Sequence, residues 1–206
     1  VASARDRKAA PPITGCRAIK GWEGVTRVLE VDQTPIGKTP RSNPVTYVKA
    51  FDEIRRLFAD TPLARQRRYT SSTFSFNVDG GRCEHCEGAG YLEVEMVFMA
   101  DVFVPCEHCG AKRFRPEVLE VLVHGKSIYD VLQLTVDQAI RFFPYEEKLG
   151  QALWQLQQVG LGYLRLGQPA TTLSGGEAQR IKVARELALA KRSSGNRMHT
   201  SATWNA

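Results

Sequence analysis

The sequence predicts a mixed α/β fold in which a small hairpin, tied by a metal ion, interrupts a mainly helical chain. The first observation is a pair of Cys-x-x-Cys motifs, Cys83 to Cys86 and Cys106 to Cys109, with about twenty residues between them. The second is an alternation of apolar and polar residues between the motifs, which is typical of strands. The third is the helical spacing of apolar residues in the segments on either side.

The two cysteine pairs predict a metal site made entirely of protein thiolates. Knuckles at this separation match a four-thiolate zinc site, in which each knuckle supplies two sulfur ligands. We find no secretory signal and no transmembrane run, so we expect a cytoplasmic protein, and a reducing compartment favours metal over disulfides. Cys83, Cys86, Cys106 and Cys109 are therefore predicted to hold one structural Zn²⁺, and Cys16 to be an inert thiol.

The residues between the knuckles predict an antiparallel hairpin. Leu92, Val94 and Met96 alternate with glutamates, and a second β-rich run covers residues 102–104. A two-stranded hairpin is marginally stable in water by itself. We therefore expect the metal at its open end to supply much of its stability.

Basic residues gather next to this hairpin, in a chain with a net charge of +6 and a pI near 9.2. This balance allows a polyanionic partner. The arginines could contact phosphates while Phe74 and Phe76 stack on bases, or the two rings could face the core while the arginines are solvated. The predicted nucleic-acid contacts are Arg65, Arg67, Arg68, Lys112 and Arg113.

The remaining elements follow from local patterns. We expect a mobile lead-in at 1–15, a β-type run at 25–31, a proline-rich loop at 34–44, an amphipathic helix at 47–58, a β-like run at 118–123, short helices opened by Ser127 and Thr135, a helix at about 145–158 and a patternless tail from about 193. Two triplets, Gly37-Lys38-Thr39 and Gly125-Lys126-Ser127, resemble the end of a P-loop. Neither has the required first glycine, so neither predicts a nucleotide cradle.

A second informative stretch runs from Leu173 to Arg180. Ser174 and Glu177 form a capping box that starts a helix. A cap alone does not explain Gly175 and Gly176, which cost about 1 kcal/mol each relative to alanine. Free N–H groups at a helix N-terminus attract anions, so we expect this terminus to receive a phosphate, with a plain cap as the alternative.

The stretch from Leu173 to Arg180, LSGGEAQR, resembles the signature motif of ABC-type ATPases in the form found in the UvrA family of bacterial nucleotide excision repair proteins. Residues 31–44 resemble that family's Q-loop region in the second nucleotide-binding domain, and residues 74–83 resemble its approach to the C-terminal zinc module. The resemblance covers residues 16–190 and implies part of an ABC-type nucleotide-binding domain with an inserted zinc-ribbon or hairpin module and a helical signature subdomain. The resemblance implies four divisions: the Q-loop part of the nucleotide-binding domain at 1–45, the zinc module with its hairpin at 46–125, the helical signature subdomain at 126–190 and an atypical tail at 191–206.

The resemblance also implies site residues and partners. Gln33 would sense Mg²⁺ and the γ-phosphate, while Ser174, Gly175, Gly176 and Glu177 would contact an ATP held by an opposite nucleotide-binding domain. The zinc hairpin would engage damaged double-stranded DNA before transfer to a UvrB-type helicase. A homodimer, a place in the SOS response and the absence of any membrane partner are further expectations.

Departures from the family pattern shape these expectations. The Walker A loop expected before Gln33 and the Walker B strand expected after Ala190 do not match, which suggests an internal or truncated piece unable to hydrolyse ATP alone. Thr73 and Asp79 replace expected basic residues and Arg68 replaces an expected glycine, so DNA contact should be redistributed or weakened. The alternatives are a DnaJ-like chaperone module and a zinc ribbon for protein interaction without DNA binding.

Overall fold

A computed structural model describes residues 28–96, 98 and 102–194, with side chains as far as residue 189. Cys16, the lead-in and nearly all of the predicted tail lie outside the described residues. The chain divides into two compact units, residues 1–32 and residues 33–206. The described part of the predicted β-type run, residues 28–31, forms no strand. That prediction is wrong for these residues, since local β propensity alone does not decide whether a strand forms.

The second unit consists of α-helices and one hairpin in its described part. The helices are α1 (Pro44–Tyr47), α2 (Ala50–Ala59), α3 (Pro62–Gln66), α4 (Pro116–Leu119), α5 (Ile128–Gln133), α6 (Val136–Phe142), α7 (Glu147–Gln158) and α8 (Gly175–Ser194), with a 3₁₀ turn at Ala170–Thr172. The hairpin consists of β1 (Tyr91–Val94) and β2 (Val102–Pro105). The coarse prediction of a mixed fold of helices and strands is therefore confirmed. None of the described helices is long and apolar enough to cross a membrane.

Capping residues set the helix boundaries. Asn43 caps α1 ahead of Pro44, and Lys49 has a left-handed backbone (φ 61°) that separates α1 from α2. The predicted helix at 47–58 is therefore realised mainly as α2. Ser127 and Thr135 form capping boxes that open α5 and α6, which confirms both short helices.

The predicted β-like run at 118–123 is wrong. Pro116 stands at the first turn of α4, where its fixed φ favours a helix, and Val118 packs into the core as part of that helix. Beyond α4, Val123 pairs with Lys126 in an isolated bridge around a tight turn. Proline placement and burial therefore override the local β propensity of the valines.

One apolar core connects the segments before and after the cysteine motifs. It runs from Val45 to Ala184 and includes the apolar faces of α2, α7 and α8. Phe76 stacks on Phe51 with ring centroids 4.9 Å apart, and Phe74 packs against Phe58 at 5.5 Å. Since the rings of Phe74 and Phe76 are fully buried, they face the core and are not placed to stack on bases.

The hairpin is the one sheet among the described residues, and its prediction is confirmed. Its antiparallel strands pair Leu92 with Val104 and Val94 with Val102. Because paired residues point to the same side of a sheet, these four aliphatic side chains share one face. Leu92 packs against the cysteines, whereas the three valines are 43–46% exposed.

Candidate functional site

The four predicted metal ligands come together at the base of the hairpin. Their Sγ atoms all lie within 4.8 Å of one another, and all four residues are buried. The Sγ atoms of Cys86 and Cys109 are 3.7 Å apart. A tetrahedral zinc ion with Zn–S bonds of about 2.3 Å places its sulfurs about 3.8 Å apart, whereas a disulfide requires about 2.05 Å. The cluster therefore fits a four-thiolate metal ion and contains no disulfide.

The two knuckles have the same backbone arrangement, related by an approximate twofold axis. Each uses three equivalent hydrogen bonds. The pairs of N–H donors and C=O acceptors are Gly88 to Cys83 (3.2 Å) with Ala111 to Cys106 (3.2 Å), Ala89 to Cys86 (2.8 Å) with Lys112 to Cys109 (3.0 Å), and Cys106 to Gly90 (3.0 Å) with Cys83 to Arg113 (2.8 Å). The last pair is exchanged between the knuckles, so each knuckle closes the other.

The same equivalence holds for the residues with left-handed backbone. The matched pairs are Glu87 (φ 48°) with Gly110 (φ 55°), Gly88 (φ 79°) with Ala111 (φ 63°), and Gly90 (φ 81°) with Arg113 (φ 72°). The second knuckle thus reaches this geometry with two residues that carry a Cβ. Its altered order, Gly-Ala-Lys-Arg, leaves the backbone around the cysteines unchanged.

Burial of the cluster disfavours thiolates that no cation compensates. Burial raises the pKa of Cys86, and raises the pKa of Cys109 to about 12. Burial also acts to raise the pKa of Cys83, but N–H groups of Cys86 and His85 outweigh it, and the pKa falls. A divalent metal favours the thiolate form of all its ligands, and so reverses the effect of burial.

Two histidines stand at matched positions of the knuckles. The rings of His85 and His108 lie 4.2 Å apart, centroid to centroid. Both residues are exposed, and neither belongs to the group of side chains close enough to share a metal ion. The two rings therefore follow the same approximate twofold symmetry as the knuckles, and they lie outside the metal-ligand cluster.

The second predicted site is the N-terminus of α8. The predicted capping box is formed: Ser174 N–H donates to Glu177 Oε2 at 2.8 Å, and Glu177 N–H donates to Ser174 Oγ at 3.3 Å. A Cβ at Gly176 would meet nothing within 4 Å, so this turn is open to a ligand. The terminus combines free space with the positive end of a helix dipole.

Gln33 lies against this same helix terminus. A Cβ at Gly175 would lie 3.3 Å from both the Cβ and the Oε1 of Gln33, so glycine permits this approach. Lys182 Nζ donates to Thr34 Oγ1 at 2.6 Å and fixes the neighbouring residue to α8. The structure thus brings together the predicted nucleotide-contact residues from two distant parts of the sequence.

Tyr163 is a site residue that sequence reasoning missed. Its hydroxyl donates to Glu177 Oε1 at 2.7 Å, while the other carboxylate oxygen serves the cap. The Tyr163 hydrogen bond, followed by the Ser174 N–H, lowers the pKa of Glu177. Nothing in the local sequence around Tyr163 signals this contact, because the two residues meet only in the folded chain.

The predicted nucleic-acid contacts do not share one environment. Arg65, Arg67, Arg68 and Lys112 are exposed. Arg65 already forms an ion pair with Asp60, and the guanidinium of Arg67 donates to the backbone carbonyl of Glu117 in α4. These four side chains are accessible to a polyanion.

Arg113 differs from the other four. It is only 6% exposed, its guanidinium donates to the carbonyls of Pro40 and Gly167 at 3.4 Å, and it lies 5.3 Å from the ring centre of Phe76. Its burial argues against the phosphate contact predicted for it. The sequence could not reveal this, because its neighbour Lys112 is equally basic and exposed.

Comparison with known proteins gives a consistent family. No family model matches the chain. The chain is 56% identical to UvrABC system protein A of Thermus thermophilus over 82% of this chain and 18% of the relative, and 54% identical to that of Bacillus subtilis over 89% and 19%. A crystal structure of UvrA2 from Deinococcus radiodurans matches with a TM-score of 0.78 and 58% identity, over 81% of this chain and 20% of that one. The chain thus spans about a fifth of the length of the relatives it matches.

Proposed function

The chain belongs to the UvrA family, and from this premise we propose that it serves nucleotide excision repair as a DNA-engaging, zinc-stabilised part of a damage-recognition ATPase. The observation that carries the proposal is the similarity to UvrA proteins over four-fifths of the chain. The four-cysteine cluster supports the proposal, since these four side chains could hold a metal ion. Zn²⁺ is the metal that a closed set of four thiolates favours.

The metal centre has an architectural role in this proposal. Four cysteine thiolates would fill all four positions of a tetrahedral ion, which would leave no open position for a substrate or a water. The ion, bound by Cys83, Cys86, Cys106 and Cys109, would fix the base of the hairpin. The hairpin and the basic residues beside it would then meet the DNA backbone in a fixed geometry.

Contact with duplex DNA falls to the four exposed basic residues. Arg65, Arg67, Arg68 and Lys112 can offer charge to phosphates, and Arg113 is left out because it is buried. A protein that tests duplex for damage depends on phosphate contacts and DNA deformability rather than on base sequence. The affinity should accordingly fall steeply with salt.

The N-terminus of α8 is the proposed nucleotide-facing part. Ser174, Gly175 and Gly176 would donate to the γ-phosphate of an ATP bound with Mg²⁺ by another nucleotide-binding domain, and Glu177 would hold the cap. Gln33 is placed beside Gly175 and would report the state of the nucleotide to this helix. The proposed partners of the whole protein are a second copy, a UvrB-type helicase and damaged duplex, and its proposed compartment is the cytoplasm.

The test combines metal content with DNA binding. Mass spectrometry should find one zinc per chain, and fluorescence anisotropy with a duplex should give an affinity that falls linearly on a log scale with salt. Neutralising one phosphate-contacting residue, for example Lys112→Gln, should reduce that slope by about 1. Lys148→Gln on α7 is the matched control and should leave the slope unchanged.

A Cys83→Ser/Cys106→Ser variant completes the design. Loss of zinc together with loss of DNA binding supports the proposal. Zinc binding without any salt-dependent DNA binding in the unaltered chain would instead favour a zinc ribbon for protein interaction, and would contradict the DNA-engaging role.

A further inference from the structure

Arg113 belongs to the metal centre by its backbone and to the body of the protein by its side chain. It lies in the second knuckle, and its C=O accepts from the N–H of Cys83, in the first knuckle, at 2.8 Å. Its guanidinium leaves the knuckle and donates through Nη2 to Pro40 O and Gly167 O, each at 3.4 Å. One residue therefore touches both knuckles and two segments outside them.

The charge of Arg113 is not balanced by a carboxylate of any residue that the structure describes. Within the part of the chain that the structure describes, Arg113 forms no ion pair and its Nη1 has no hydrogen-bond partner. A buried charge is strongly destabilising unless an opposite charge or several hydrogen bonds compensate.

Four thiolates carry more negative charge than one divalent metal ion neutralises, so a loaded centre keeps a net negative charge. We propose that Arg113 is the internal counter-cation of this centre and, through Pro40 and Gly167, the link that fixes the centre to the body of the protein. The inference rests on the proposed metal centre and assigns a positioning role to Arg113, which is not a ligand.

The two segments that Arg113 contacts are joined to each other at the same place. Ala170 N–H donates to Ser42 O at 2.7 Å, and Val45 N–H donates to Leu166 O at 3.3 Å. The first segment begins at Gln33 and the second leads directly to Ser174. Arg113 therefore contacts the place where these two segments meet, and the segments lead to Gln33 and to Ser174, which are proposed to face the nucleotide.

The first knuckle has no side chain at the position that matches Arg113. The position equivalent to Arg113 in the first knuckle is Gly90, which has no side chain. A Cβ at Gly90 would lie 3.1 Å from Arg113 Cγ and 3.0 Å from Ala111 O. Gly90 thus leaves the space through which the arginine stem passes into the body.

The test compares the unaltered chain with three variants, Arg113→Met, Arg113→Lys and the matched control Lys112→Met, which removes an exposed charge one residue away. Zinc affinity is measured on the full chain by competition with a chromophoric chelator. Arg113→Met should weaken zinc binding by about 10–100-fold, the usual effect of losing an outer-shell partner. Lys112→Met should change it by less than about fivefold, as for an exposed charge.

Hydrogen exchange of the zinc-loaded proteins tests the link. The amides of Val45 and Ala170 should exchange faster in both Arg113 variants than in the unaltered chain, because lysine keeps the charge but lacks the planar guanidinium that reaches both carbonyls and lies over the Phe76 ring. Lys112→Met should leave both amides unchanged.

Two results would overturn the inference while the metal centre stands: zinc affinity in Arg113→Met equal to that in Lys112→Met, or unchanged exchange at Val45 and Ala170. If Arg113→Met does not fold, the exchange rates in Arg113→Lys decide the question. An unaltered chain that binds no zinc would overturn the metal centre itself, and the inference with it.

Discussion

The two cysteine knuckles share one backbone but hold it with different side chains. Where the first has Gly88 and Gly90, the second has Ala111 and Arg113 in the same left-handed conformation. A left-handed backbone costs a residue with a Cβ roughly 1–2 kcal/mol, and the second knuckle tolerates that cost twice. The glycines of the first knuckle are therefore required by what surrounds them rather than by the backbone angle alone.

The neighbours of each glycine identify that requirement. A Cβ at Gly88 would lie 2.2 Å from Phe76 O, and one at Gly90 would approach the Arg113 stem. The first knuckle is pressed against the body through Phe76, whereas the second sends a side chain into it. As metal ligands the two knuckles are equivalent, since each supplies two cysteines. They differ in how they contact the rest of the protein.

The largest expected effect is the loss of zinc, which should be the same whichever knuckle loses a cysteine. Cys83→Ser and Cys106→Ser each remove one of four ligands, so both variants should lose stoichiometric zinc to the same extent. The loss of affinity should exceed the roughly 10–100-fold that follows loss of an outer-shell partner. Metal content by mass spectrometry checks this, with Glu107→Gln as a control that keeps its zinc. Retention of zinc by only one of the two serine variants would show that the knuckles do not contribute equally.

The second effect is a difference in stability between substitutions at equivalent positions of the two knuckles. Gly88→Ala should destabilise the zinc-loaded protein by more than about 2 kcal/mol, because a clash with Phe76 O adds to the cost of the left-handed backbone. Ala111→Gly at the equivalent position should change stability by less than about 1 kcal/mol, since relief of strain offsets the greater freedom of the unfolded chain. Urea unfolding measures both. Equal destabilisation would mean that the backbone angle decides, not the surroundings.

The third effect concerns the contact across the approximate axis. Removing the His85–His108 contact by His85→Ala, His108→Ala and the double variant should reveal a coupling energy of about 0.5–1.5 kcal/mol. A double-mutant cycle in urea unfolding measures it, and zinc content should stay constant in all four proteins. A fall in zinc content would show instead that a histidine takes part in binding the metal.

The smallest effect separates two matched glutamates. Glu84 forms an ion pair with Arg115, whereas Glu107, at the equivalent position, forms none with any residue that the structure describes. Glu84→Gln should lower stability by about 0.2–1 kcal/mol at low salt and by less at high salt, because the pair is exposed. The loss of stability caused by Glu107→Gln should be smaller than that range. The difference between the two variants across a salt series is the measurement.

Local sequence patterns predicted the parts of the fold that depend on local chemistry. The spacing of Cys83 to Cys109 predicted which cysteines gather and where the hairpin lies, and the pairs Ser127 with Asp130 and Thr135 with Gln138 cap the helices that they open. The β-like run at 118–123 failed because Pro116 and the core decide its structure.

Long-range contacts were beyond such patterns. The inward turn of Arg113 depends on Pro40 and Gly167, which are distant along the chain, and the hold of Tyr163 on Glu177 has no local signature. The resemblance supplied Gln33 and Ser174 as separate expectations. Their approach at Gly175 appeared only in the folded chain.

The register of the hairpin is fixed at its base, and this has a consequence for how its tip can change over evolution. Leu92 pairs with Val104 next to the cysteines, so the strands are aligned before the chain reaches the connection between Val94 and Val102. In hairpins aligned by their turn, one inserted residue can shift every pair along the strands. Here, insertions or deletions between the strands should leave the pairs at the base unchanged. The tip is therefore the place where relatives can differ in length, and where a peptide can be grafted, without disturbing the knuckles.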